Sequence, residues 1–207
     1  RHFEDPNGRF PEKSLDSAIA QQEAITPHLL SILEKTISNF ESVDDDKMDH
    51  IFALYLLSKF REKRAFPYIV ELASLPGKWP ENLLGDCITE ALARFIVSTF
   101  NDDLGAIKKL IEDSSLNEWS RKAGLNSLLG LVALDQLGRD ELIEYLRSLF
   151  RSPLADDDDF VTALVEIASE IYPEELMEEI NEAFREDKVD TFCINRAWVE
   201  RMFTLGK

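Results

Sequence analysis

Five apolar positions recur along this chain at a spacing that few architectures can use. Leu29, Ile69, Ile107, Leu142 and Leu176 each follow a turn or capping residue and open a segment with apolar side chains three or four apart. That spacing marks one face of a helix. The five are separated by about 40, 38, 35 and 34 residues, the period of helical repeats. A second helix is expected before each, over about residues 11–22, 47–62, 80–100, 118–137 and 159–171. The pattern predicts an all-α superhelix, an α-solenoid of about five helix pairs. Residues 10–207 would form this one domain and residues 1–9 an N-terminal extension.

Helix punctuation agrees with that reading. Pro11, Pro27, Pro67, Pro80 and Pro173 fall where first turns are expected, and a missing N–H is harmless there. Asp44-Asp45-Asp46 and the run Asp156 to Asp159 precede helices and can cap their free N–H groups. Gly138 is placed to end one helix before Arg139-Asp140 opens the next. Ile51 to Leu57 and Leu125 to Leu134 are apolar nearly all round, as inner repeats with two covered faces require. Residues 11–22 carry only one apolar stripe, which suits a terminal cap. The stretch Phe192 to Leu205 reads as a closing helix at the other end.

Composition then narrows function. With 40 acidic and 23 basic side chains the net charge is −17, a field that repels phosphate backbones and argues against nucleic acid as partner. No stretch reaches the length and apolarity of a membrane-spanning helix, so membrane insertion is not expected. No secretory leader is visible, and the chain opens on Arg1, as a trimmed or processed chain would. The two cysteines, Cys87 and Cys193, fall in helical patterns without zinc or disulfide spacing, which points to a reducing compartment.

Motifs for catalysis are missing. His2, His28 and His50 have no partner at metal-ligand spacing, and no nucleotide-binding glycine loop or nucleophile elbow occurs. His28 is expected exposed, and His50, at the start of the most apolar helix, is expected to bond locally. The Asp156 to Asp159 run lacks the glycine and distal glutamate of a calcium loop. Of Trp79, Trp119 and Trp198, Trp79 sits in the most exposed-looking loop and is expected to fold onto its own repeat. One polar constellation stands out. Asp86, Glu90 and Arg94 lie four apart on one predicted helix, where Glu90 would pair with Arg94. Asp86 and Glu90 could instead meet His50 from the preceding repeat and form a polar cluster for a divalent cation or a basic group.

The segment Asn117 to Leu128, with Glu118, Arg121, Ala123 and Leu125, resembles the first helix of HEAT-like repeats. A closer resemblance runs along almost the whole chain. Phe10-Pro11, Ile25-Thr26-Pro27, the run His50 to Leu57, Ser74-Leu75-Pro76-Gly77, Leu84-Gly85-Asp86 with Thr89-Glu90, Leu110 to Asp113 and Tyr172 to Leu176 occur in this order. The order and spacing resemble the bacterial family DUF1186. The resemblance implies a bacterial source and a helical-repeat fold and supplies no activity. Many members of the family continue into a Cys-rich metal-binding tail of the SEC-C type. This chain ends at Leu205-Gly206-Lys207 without one, so the resemblance carries over no zinc and no other cofactor.

Together these features favour a protein- or peptide-binding scaffold in the bacterial cytoplasm over an enzyme. The expected contact face is a curved acidic surface on the second helices, with Glu71, Glu144 and Glu178 meeting a basic partner. An enzyme or cation site at His50, Asp86 and Glu90 is the first alternative. A secreted effector that binds host proteins is the second.

Overall fold

A computed structural model describes residues 12–44, 47–172 and 174–205. Expectations that fall on His2, Pro11, Asp45, Asp46, Pro173, Gly206 and Lys207 lie outside the described residues. Within them the chain is all-helical, with no strand. The helices are α1 (Glu12–Ala20), α2 (Gln22–Ser38), α3 (Asp49–Lys59), α4 (Phe66–Ala73), α5 (Trp79–Leu84), α6 (Cys87–Glu90) and α7 (Leu92–Thr99). They continue as α8 (Leu104–Glu112), α9 (Glu118–Ala133), α10 (Arg139–Phe150), α11 (Asp158–Glu170), α12 (Met177–Arg185) and α13 (Arg196–Leu205). No helix among the described residues is long and apolar enough to cross a membrane.

The recurring anchors are where the core is made. Leu29, Ile69, Ile107, Leu142 and Leu176 are all buried, each worth about 1.5–3 kcal/mol of transfer free energy. α3 packs on α7, α7 on α9, α9 on α11 and α11 on α13, while α2 packs on α4 and α4 on α8. The pairs α2–α3, α4–α7, α8–α9 and α10–α11 join the two series. Apolar contacts alone do not fix which helix follows which. Directional polar bonds add that information. Asn117 Nδ2 donates to Glu81 Oε1 at 2.7 Å, Arg121 Nη1 to Asp157 Oδ2 at 3.2 Å and Arg139 Nη1 to Glu175 Oε1 at 2.7 Å, and each pair is 36 residues apart. Tyr145 Oη donates to Glu112 at 2.9 Å, 33 residues away. Burial and this carboxylate push the Tyr145 phenol well above its usual range. Arg139, held at 3.0 Å on the Ile171 carbonyl, keeps the Glu175 carboxyl below the usual carboxylate range.

Several boundaries differ from the sequence expectation. The helix expected over 80–100 is three pieces, broken at Gly85 (φ 50) and at Ala91 (φ −132). His50 Nε2 donates to the Leu83 carbonyl at 2.6 Å, taking the acceptor that a continuous helix would offer to residue 87. The helix around Pro27 begins five residues earlier, at Gln22, so Pro27 lies inside α2. Thr26 Oγ1 bonds the Gln22 carbonyl at 2.7 Å in the turn before it. Gly138 does not end α9. Asp135 takes the left-handed conformation (φ 55), Gln136 N–H returns to the Leu131 carbonyl at 2.8 Å, and Gly138 instead precedes α10. Leu176 sits in a 3₁₀ turn, Glu174–Leu176, just before α12. Asp157 caps α11 as expected, accepting the Phe160 N–H at 3.2 Å.

Two glycines let α9 approach its neighbours closely. A Cβ on Gly130 would stand 2.6 Å from Val97 Cγ2 of α7, and one on Gly124 would stand 2.9 Å from Ile111 Cγ1 of α8. In an isolated helix, Gly→Ala gains about 1 kcal/mol. Here Gly130→Ala is expected to lower stability by about 1–2 kcal/mol net, because β-branched Val97 strongly prefers one χ1 rotamer in a helix and yields only at a cost. In a Val97→Ala background the same change is expected to raise stability. Urea unfolding of the two single variants and the double variant measures this reversal of sign. A Gly130→Ala change that behaves alike in both backgrounds would contradict the close α7–α9 approach.

Candidate binding groove

The structure separates His50, Asp86 and Glu90. His50 is 4% exposed and its Nε2 is engaged by Leu83. Asp86, just before the short α6, and Glu90, at its end, are exposed. The expected Glu90–Arg94 side-chain pair is absent too. Arg94 Nη2 bonds the Glu90 backbone carbonyl instead, because the break at Ala91 moves residues 90 and 94 off one helical face. Among the described residues, no trio of His, Cys, Asp and Glu is arranged to hold a metal ion. His50 closes a broken helix, and the two carboxylates face solvent. His28 is exposed, as expected.

The three glutamates of the second helices stand on α4, α10 and α12 in different surroundings. Glu71 is exposed. Glu144 is exposed and ion-paired with Arg147, which also donates to the Glu175 carbonyl at 2.7 Å. Glu178 borders a small cleft of about 140 Å³ beside Arg151, Glu182 and Lys188. The most buried carboxylate of this region is one the sequence reading did not single out. Buried Glu179, 7% exposed, meets Arg151 at 2.6 Å and Arg147 at 3.4 Å and ties α10 to α12. Much of the charge here is thus spent inside the fold.

Larger openings lie along the other series of helices. One cleft of about 350 Å³ is bordered by Arg61, Arg94, Val97, Asn126, Gly130 and Leu134. A second, of about 590 Å³, is bordered by Lys122, Asn126, Leu129, Glu166, Asn195 and Trp198. Asn126 of α9 borders both. Lys122 and Glu166 pair at 2.6 Å across α9 and α11 and form part of the second wall. Trp198 is 45% exposed on α13, an amphipathic ring available to a partner. Trp79, by contrast, is half-buried and stacks edge-on against Phe40 at 5.2 Å. It thus packs on the preceding segment.

Of the two cysteines, only Cys193 differs from the helical expectation. Cys87 opens α6, half-buried, with Sγ 3.8 Å from Tyr55 Oη. Cys193 lies outside any helix, in the exposed turn before α13. The groove is hard to see in the sequence because its lining residues are ordinary solvent-face positions of α7, α9 and α11. The one available signal is Asn126, with Ser127 and Gly130, interrupting the apolar run of α9.

His50→Ala leaves the Leu83 carbonyl buried without its donor. The expected loss is about 1–3 kcal/mol of unfolding free energy. Asp86→Asn and Glu90→Gln are expected to change stability by less than about 0.5 kcal/mol. Thermal unfolding of the three variants checks this, and equal losses in all three would restore the cluster.

A protein of Chlamydia trachomatis serovar D and one of Chlamydia muridarum, each described as an uncharacterized protein, are similar to this chain. Both are 36% identical over 197 residues, covering 94% of it and 78% and 79% of their own lengths. No solved structure matches the chain. The family model described as a protein of unknown function, DUF1186, matches residues 2–207, so the chain belongs to the DUF1186 family.

Proposed function

We propose that this protein is a polypeptide-binding scaffold. Residues 10–207 would form one HEAT-like α-solenoid whose α7, α9, α11 and α13 present the contact groove. The carrying observation is a groove of two clefts, along successive helix pairs, that share Asn126 as a bordering side chain. Its lining mixes apolar side chains with amide, cationic and anionic groups and an exposed tryptophan. Such surfaces suit an extended segment that offers backbone hydrogen bonds and several side chains at once. Polar bonds between residues 36 apart support the stacked arrangement, because each joins equivalent places of neighbouring repeats. The groove also favours this face over the Glu71, Glu144 and Glu178 surface, where Glu144 is already ion-paired.

A photo-crosslinking amino acid at position 129, in the groove, is expected to capture a protein partner in the native host, whereas one at position 71 is not. Asn126→Arg is expected to reduce that capture at least about tenfold. Reversing Glu71, Glu144 and Glu178 to lysine is expected to leave it unchanged. Crosslinking at 71 with none at 129 would move the contact face to the second helices.

A further inference from the structure

The cleft between the end of α3, α7 and α9 has a charge opposite to the rest of the chain. The protein carries a net charge of −17, yet Arg61, Lys63 and Arg94 line this opening and no carboxylate does. Its remaining wall is largely apolar, from Ala93, Val97, Phe100 and Leu134, with Leu134 49% exposed.

The three cations are not equally committed. Lys63 is salt-bridged to Asp102 at 2.9 Å, and Arg94 bonds the Glu90 carbonyl. Arg61 is exposed and has no ion-pair partner among the described residues. Its backbone is also unusual. Five non-glycine residues have positive φ among the described residues, and three of them, Asp102, Asp135 and Asp187, are aspartates, which tolerate that region. Arg61, at φ 52, is not of that kind. It occupies the position after α3 that glycine fills most easily, with Glu62 N–H returning to the Leu57 carbonyl at 3.0 Å. An arginine therefore stands at the mouth of the cleft where backbone preference favours another residue.

We infer that this cleft is a recognition site for an acidic, apolar peptide segment. Its apolar side chains would pack on Val97, Phe100 and Leu134, and its carboxylates would meet Arg61, Arg94 and Lys63. This inference rests on the polypeptide-groove reading and assigns the polarity of one end of it. The protein's overall negative field opposes such a partner only weakly, because salt screens distant charges over about 8 Å while contact pairs persist. Ser98, Asn126 and Gln136 supply neutral polar groups for the peptide backbone.

The test uses the full chain and two short fluorescent peptides, one alternating leucine and glutamate and one alternating leucine and glutamine. Fluorescence anisotropy is expected to show at least about tenfold tighter binding of the glutamate peptide, weakening as salt is raised. Arg61→Gly separates fold from recognition. It is expected to raise the denaturation midpoint, because glycine suits the left-handed backbone, while weakening the glutamate peptide about fivefold or more. Arg94→Ala is expected to weaken it similarly. Equal affinity for the two peptides, or Arg61→Gly leaving affinity unchanged, would overturn the inference while leaving the groove reading in place. If neither peptide binds while position 129 still crosslinks a partner, the acidic-segment assignment falls alone. If position 129 also captures nothing, both fall. Binding of laurate with no binding of the glutamate peptide would replace the peptide by a small amphipathic acid and overturn the inference.

Discussion

The guanidinium of Arg121 sits at the junction on which the middle of the molecule depends. It is 4% exposed. Its Nε donates to the Ile111 carbonyl near the end of α8 at 3.0 Å, its Nη1 to Asp157 at 3.2 Å, and its plane lies 4.3 Å from the Phe160 ring centre. Asp157 in turn caps α11. One side chain of α9 therefore satisfies the end of the helix before it and orients the start of the helix in the next pair. Burying a charge is unfavourable unless its hydrogen bonds are met; here Nε and Nη1 are paired, while the buried Nη2 has no hydrogen-bond partner among the described residues.

The same device recurs with different chemistry. Asn117 caps α9 through its Oδ1 and reaches back to Glu81 through its Nδ2. Arg139 holds the Ile171 and Tyr172 carbonyls beyond α11 and the Glu175 carboxylate before α12. His50 holds the Leu83 carbonyl. Arg139 and His50 thus complete the exposed end of another helix, and Asn117 ties the start of its own helix to a side chain of α5. Apolar burial supplies most of the driving force, and these bonds decide order and register. Once α7, α9, α11 and α13 are aligned, the opening along them follows, because their outward positions come into line.

Much of the fold was legible because it rests on periodicity. The five anchors are buried where the spacing put them, and Asp157 caps the helix it precedes. The breaks were not legible, since they depend on contacts distant in sequence. Nothing in residues 80–100 announces that His50, 33 positions before Leu83, takes a helical carbonyl. Gly138 looked like a helix end on intrinsic preference, but the tight turn at Asp135 came first. The clefts at Asn126 were not legible for a related reason. Exposure can be read from a 3.6-residue period, but the series of helices that leaves an opening depends on how the pairs pack. Glu71, Glu144 and Glu178 are exposed, as read; the two clefts that Asn126 borders lie elsewhere.

If the helix pairs are coupled mainly to their neighbours, loosening one junction must stay local. Hydrogen exchange of an Arg121→Met variant tests this most directly. The expected result is faster amide exchange in α8, α9 and α11, with α2, α3 and α4 retaining wild-type protection. Faster exchange spread evenly from α2 to α13 would show a single cooperative core and contradict the stacked-pair account.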